Sequence, residues 1–159
     1  MNGHRAQRRS LVAGIGVGLG AATLMLHSRP VRADEPLAED LRAAIRRWSG
    51  QGLPRTGRVH IDISPLIENG HAVPVTLKVD SPMTDADHVR EIVLFNERNP
   101  QRDVARFQLG PDNGRAEVST RIRLATSQRL VALARMSDGS LWQQQVEVVV
   151  TLAACVEGG

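Results

Sequence analysis

A single cysteine, Cys155, carries the strongest chemical signal in this sequence. It follows a strand-like run, Val148-Val149-Val150-Thr151, then Leu152 and the small residues Ala153 and Ala154. Val156, Glu157, Gly158 and Gly159 come after it. A structural cysteine behaves as a small buried hydrophobe and belongs in a core strand, whereas this one sits on a short tail. One cysteine allows no intramolecular bridge, so in an oxidising compartment the thiol is either bonded to another molecule or reactive. The bland alternative is an incidental tail cysteine. Nothing basic stands beside Cys155 in sequence, and Glu157 with the terminal carboxylate disfavours the thiolate. At an ordinary thiol pKa of about 8.5, only a few per cent ionises near neutrality. The tail therefore offers an attachment point, and activation must come from whatever enzyme receives it. Extended, Leu152 to Cys155 spans about 10 Å, enough to enter a narrow partner site.

The remaining reactive types are scattered. His60, His71 and His88 are too far apart in sequence for metal-ligand spacing. Met83 or Met136 could join Cys155 on copper, but no such ligands are grouped. Asp85 and Asp87 read as a solvated turn rather than a catalytic pair. Arg121 and Arg123 share one face of an expected strand, either as a plain exposed face or as a surface for an acidic partner. Trp48 is expected in the core or at an interface. No Ser-His-Asp set, phosphate loop or nucleotide motif is present, so no cofactor is expected.

Residues 36–49 have Leu37, Leu41, Ala44, Ile45 and Trp48 at helical spacing, with charges on the other face. Acidic residues near the start and basic ones near the end suit the helix dipole. Beyond Ser49-Gly50-Gln51-Gly52 the pattern turns to β. Strands are expected at 59–63, 73–79, 88–95, 104–109, 116–124, 128–136 and 141–151. Turns are expected at Glu68-Asn69-Gly70, Gly110–Gly114 and Ser137-Asp138-Gly139-Ser140. About seven short strands with regular turns predict an all-β, immunoglobulin-like two-sheet sandwich. It occupies residues 53–151, after an N-terminal helical segment at 34–52 and before a flexible cysteine arm at 152–159.

Residues 1–33 read as a twin-arginine export signal: Gln7-Arg8-Arg9-Ser10-Leu11-Val12, a glycine-interrupted apolar stretch from Leu11 to Leu26, and a cleavage pattern ending at Ala33. An uncleaved anchor is the other reading, although the stretch is short for a span. The leader also explains the charge. The chain has 20 basic and 17 acidic residues, and five of the basic ones precede the first acidic residue, Asp34. Without them 15 face 17, so the mature chain is slightly acidic. With aromatics at 3% and no tyrosine, base-stacking platforms are missing and nucleic-acid binding is excluded. After signal cleavage no membrane association is expected, and the protein is expected in the periplasm.

The chain resembles the SoxY family, the sulfur-carrier subunit of periplasmic thiosulfate oxidation. The resemblance rests on the leader, the first helix, Pro65, Glu68-Asn69-Gly70, Val73-Pro74, Glu97-Arg98-Asn99-Pro100, Val104-Ala105-Arg106-Phe107, Thr120-Arg121-Ile122-Arg123-Leu124-Ala125 and the tail cysteine. It implies a non-catalytic subunit paired with a SoxZ-like chain. It also implies sulfur intermediates attached to Cys155 and an arm formed by Ala153, Ala154, Val156, Glu157, Gly158 and Gly159. The usual family ending is Gly-Gly-Cys-Gly-Gly. The Ala-Ala-Cys-Val-Glu sequence here is stiffer and resembles a paralogous SoxY-related group linked with quinoprotein dehydrogenase systems. Two alternatives therefore stand beside the carrier: an accessory module of such a dehydrogenase, and a thiol redox or metal-delivery protein.

Overall fold

The computed structural model describes residues 36–154. The expected leader at 1–33 and the tail residues from Cys155 onward lie outside the described residues. Among the described residues no helix is long and apolar enough to cross a membrane.

The order is helix α1 (Glu39–Ser49), then strands β1 (Arg55–Thr56), β2 (Val59–Asp62), β3 (Leu66–Asn69), β4 (Val73–Val79), β5 (Val89–Asn96) and β6 (Asp103–Gln108). A 3-10 turn (Pro111–Asn113) leads to β7 (Glu117–Ile122), β8 (Gln128–Met136) and β9 (Leu141–Leu152). The large sheet runs β1-β9-β8-β5-β6 with β3 also on β9, and the small sheet is β2-β4-β7. This is the immunoglobulin-like two-sheet sandwich expected.

The two sheets enclose one core, to which β4 contributes Val73, Val75, Leu77 and Val79 by strict alternation. Strands β5 and β8 are buried on both faces. Ile92, Leu94, Leu130, Ala132 and Ala134 enter the sandwich, while Val93, Phe95, Val131 and Leu133 face the other way and pack with Leu41, Ala44 and Trp48 of α1. The helix thus covers the outer face of the large sheet, which is why those two strands read as continuous apolar runs.

Three expectations need correction. The helix begins at Glu39 rather than residue 36, because the Ala38 N–H donates to Glu97 Oε1 at 3.1 Å and Ala38 is extended (φ −53°, ψ 142°). Nine strands are described rather than seven, since the short β1 and β3 were not expected. The Glu68-Asn69-Gly70 turn begins inside β3, which pairs parallel with β9 through Leu66–Val149, Ile67–Val150 and Asn69–Leu152. The segment from Arg55 to Asn69 switches sheets twice: onto β9, across to β4, and back to β9.

Candidate functional site: the root of the cysteine tail

Cys155, Val156, Glu157, Gly158 and Gly159 lie outside the described residues, while Ala153 and Ala154 lie inside them. The site that can be built is therefore the root from which Cys155 departs. Past Val148, β9 leaves β8 and is held by β3 and by loops. The Val150 N–H donates to Ser127 Oγ at 2.9 Å, and the Thr151 hydroxyl donates to the Glu68 carbonyl at 3.0 Å. The Val149 N–H reaches the Pro65 carbonyl at 2.8 Å.

Gly70 then ties three segments together. Its N–H donates to the Leu152 carbonyl at 2.8 Å, and its own carbonyl accepts from Leu124 N–H at 2.9 Å. The Leu124 carbonyl accepts from Ala154 N–H at 3.1 Å. No side chain fits here: a Cβ on Gly70 would sit 2.3 Å from the Leu124 oxygen and 3.0 Å from the Ala154 nitrogen. Ala154 is buried and Ala153 is exposed. The neck expected to move from residue 152 onward is thus strand at Leu152 and hydrogen-bonded at Ala154. The alanine methyl is sheltered where glycine would offer none.

Two further loops shape the root. Asn99 donates from Nδ2 to the Arg123 carbonyl at 2.8 Å, and its Oδ1 accepts from Ala125 N–H at 3.0 Å and Gln128 Nε2 at 2.8 Å. Glu97 pairs with Arg129 in the interior, with Arg129 Nε 3.1 Å from Glu97 Oε2. Arg129 also donates to the Pro36 carbonyl at 2.9 Å. Burial alone pushes the Glu97 carboxyl up. The Arg129 hydrogen bond and charge, with the Ala38 N–H, outweigh that and hold it below its ordinary value. The Glu97-Arg98-Asn99-Pro100 motif is therefore the brace between the helix lead-in, β8 and the tail root.

Sequence neighbours suggested nothing basic near the thiol. The fold brings the Arg123–Leu124 loop to Ala154 and the Arg98–Asn99 loop to Ala125, and both arginines are exposed. Arg121 is exposed on β7 opposite Pro74. The signal was present in Thr120–Ala125, but only the pairing Leu124–Ala154 gives it a place.

The other candidates are not drawn to the root. His60 bonds Asp80 at 2.7 Å, and His88 Nδ1 meets the Thr84 carbonyl at 3.0 Å. His71 is exposed, its N–H capped by Asn69 Oδ1 at 2.9 Å. Met83 and Met136 are buried in the sandwich core. Asp87 closes its loop through Thr84 Oγ1 at 3.1 Å, as expected of a turn. Among the described residues no three His, Cys, Asp or Glu could hold a metal. Trp48 packs in the core under α1.

No curated relative matches the chain. The structure is similar to the sulfur carrier protein SoxY from Chlorobium limicola f thiosulfatophilum, at 30% identity over 70% of this chain and 96% of that chain, with a TM-score of 0.60. Superoxide reductase (neelaredoxin) from Ignicoccus hospitalis is 21% identical over 59% of this chain and 80% of its own, with a TM-score of 0.53. Superoxide reductase from Nanoarchaeum equitans is 16% identical over 60% and 100%, with a TM-score of 0.52. These two share the sandwich fold alone. The family profile described as sulfur oxidation protein SoxY matches residues 45–155, which include the brace, the root and the cysteine. The chain belongs to the SoxY family.

Proposed function

We propose that this chain is a periplasmic covalent sulfur carrier that presents intermediates on Cys155 and works as a heterodimer with a SoxZ-like subunit. The observation that carries the reading is the root itself: a braced strand end whose last described residue, Ala154, is hydrogen-bonded directly before the only cysteine. Covalent geometry keeps the Cys155 Cα about 3.8 Å from that of Ala154. The receiving enzyme must then approach the root closely. Leu66, Val149 and Leu152 are exposed there on β3 and β9, and Arg98 and Arg123 are exposed on the loops that hold it.

In the chemistry the family implies, joining the thiol to thiosulfate forms one S–S bond and releases one proton and two electrons, which a haem enzyme takes. Hydrolysis of the terminal S–S bond then releases sulfate and a proton and leaves a persulfide on the cysteine. Each step acts on the carried sulfur, so the chain itself is a non-catalytic subunit. The exposed arginines favour an anionic adduct, opposing Glu157.

The Ala-Ala-Cys-Val-Glu ending supports a second reading, an accessory module for a quinoprotein dehydrogenase, because Ala154 serves as an anchor and not as a hinge. Intact mass of the protein from its native periplasm, before and after thiol reduction, separates the two. Reducible sulfur adducts on Cys155 establish the carrier and name its cargo. An unmodified thiol in cells oxidising reduced sulfur overturns it in favour of the accessory role.

A further inference from the structure

Among the described residues four large apolar side chains are exposed, Leu53, Leu66, Val149 and Leu152, and the last three meet at the end of β9. Leu66 is the register partner of Val149 in the parallel β3–β9 pairing. Both point away from the core, since their strand neighbours Ile67, Val148 and Val150 point into it. Leu152 has the core-facing parity of Val148 and Val150, but it lies outside the core cluster and is 59% exposed. The ribbon end before Cys155 is therefore apolar on both faces.

A single exposed leucine needs no explanation, whereas a cluster of them with a polar rim marks a contact surface. The rim here is basic. Arg98 and Arg123 are exposed on the loops that hold the root, and neither side chain has an ion-pair or hydrogen-bond partner among the described residues. Across residues 66–71, 98–100, 123–125 and 149–154, Glu68 is the one acidic residue.

Position decides what covers this end. Ala154 is hydrogen-bonded to Leu124, so an enzyme that takes Cys155 into its site closes over Leu152 and Ala153 at the same time. A permanently bound subunit on the same surface would bar that access. Three side chains also fall well short of the roughly 800 Å² per partner of a stable interface, which suits a transient contact. We propose that Leu66, Val149 and Leu152 form the docking ledge for the enzyme that acts on Cys155. The mouth of that enzyme is apolar where it grips the ribbon end and carries carboxylates opposite Arg98 and Arg123. This docking role rests on the carrier reading and adds to it a recognition surface outside the cysteine arm.

The test follows adduct formation on Cys155 by intact mass after cells of the native host receive thiosulfate. Wild type is compared with Leu66→Ser, Leu152→Ser, Arg123→Glu and Leu53→Ser. Loading is expected to slow about tenfold in the Leu66, Leu152 and Arg123 variants. Leu53 precedes β1, which pairs with the opposite end of β9, so Leu53→Ser is expected to load as wild type. Alkylation of Cys155 by iodoacetamide should match wild type in every variant; a parallel loss there means a damaged tail and overturns the ledge. Wild-type loading in Leu66→Ser and Leu152→Ser also overturns it, and wild-type loading in Arg123→Glu overturns the charge complement. Loss of a SoxZ-like subunit from the purified Leu66→Ser complex would assign the surface to that subunit instead. Absence of adducts from wild type would sink the carrier reading itself, so the two failures are distinguishable.

Discussion

Gly70 and Leu124 are separated by 54 positions in sequence, yet their backbones meet so closely that a Cβ on Gly70 would lie 2.3 Å from the Leu124 oxygen. Through that contact the loop after β7 accepts the Ala154 N–H and the turn after β3 holds the Leu152 carbonyl. The cysteine tail thus starts from a point fixed by three segments.

Gly70→Ala tests that point. The new methyl meets backbone rather than a yielding side chain, so we expect a loss of about 1–3 kcal/mol. Chemical denaturation measures the loss. Amide exchange at Ala154 and Leu152 should rise more than exchange in β4 or β5. Equal change everywhere would mean that Gly70 serves the whole sandwich rather than the tail.

Asn99→Ala removes three hydrogen bonds that join the Asn96–Arg102 loop to residues 123–128. Buried donors and acceptors left unpaired cost about 1–3 kcal/mol. The same substitution should slow adduct formation on Cys155, since it loosens the loop that carries Leu124. An intact mass profile with wild-type loading would show that the brace serves folding only.

The Glu97–Arg129 pair predicts an acid limit. The Glu97 carboxyl is held below its ordinary 4.5 in the folded state. Its stabilising contribution is therefore fully present above that value and is lost as pH falls through the depressed folded value. Thermal midpoints followed from pH 7 downward should fall below about pH 4.5, and less steeply in Glu97→Gln. Arg129→Met leaves Glu97 buried without its cation and should cost about 3–5 kcal/mol at neutral pH, whereas replacing both partners by apolar residues should cost far less.

Glu157→Gln removes a negative charge two residues from the thiol. Coulombic interaction in water at such distances is small, so the thiolate fraction at pH 7 should rise by less than about fivefold. Initial rates of iodoacetamide alkylation at Cys155 measure this directly. A drop in rate would mean that Glu157 assists the thiol rather than opposing it.

Much of the frame was legible in the sequence, for stated reasons. Leu41, Ala44 and Trp48 recur at helical spacing and β4 alternates, so periodicity alone identifies the helix and that strand. The tight turn at Asp138-Gly139 is likewise local: Gly139 takes φ 82° and Asp138 Oδ1 accepts from Ser140 N–H at 2.8 Å. Strand β3 was not legible, because turn chemistry at Glu68-Asn69-Gly70 hides a parallel pairing with a distant partner. Nor could local pattern show that Ala154 is anchored or that Glu97 and Arg129 share the interior. Each of those depends on residues far apart in sequence.

Strand β9 joins β1, β3 and β8, and it is synthesised after all of them. Strands β1 and β3 have no partner in the large sheet until that strand emerges, so their side of the sheet cannot form as the chain leaves the ribosome. A polypeptide interrupted before Leu141 lacks both the strand that joins β1 and β3 to the sheet and the thiol that follows it. Completeness of the domain and possession of the attachment point are one and the same event.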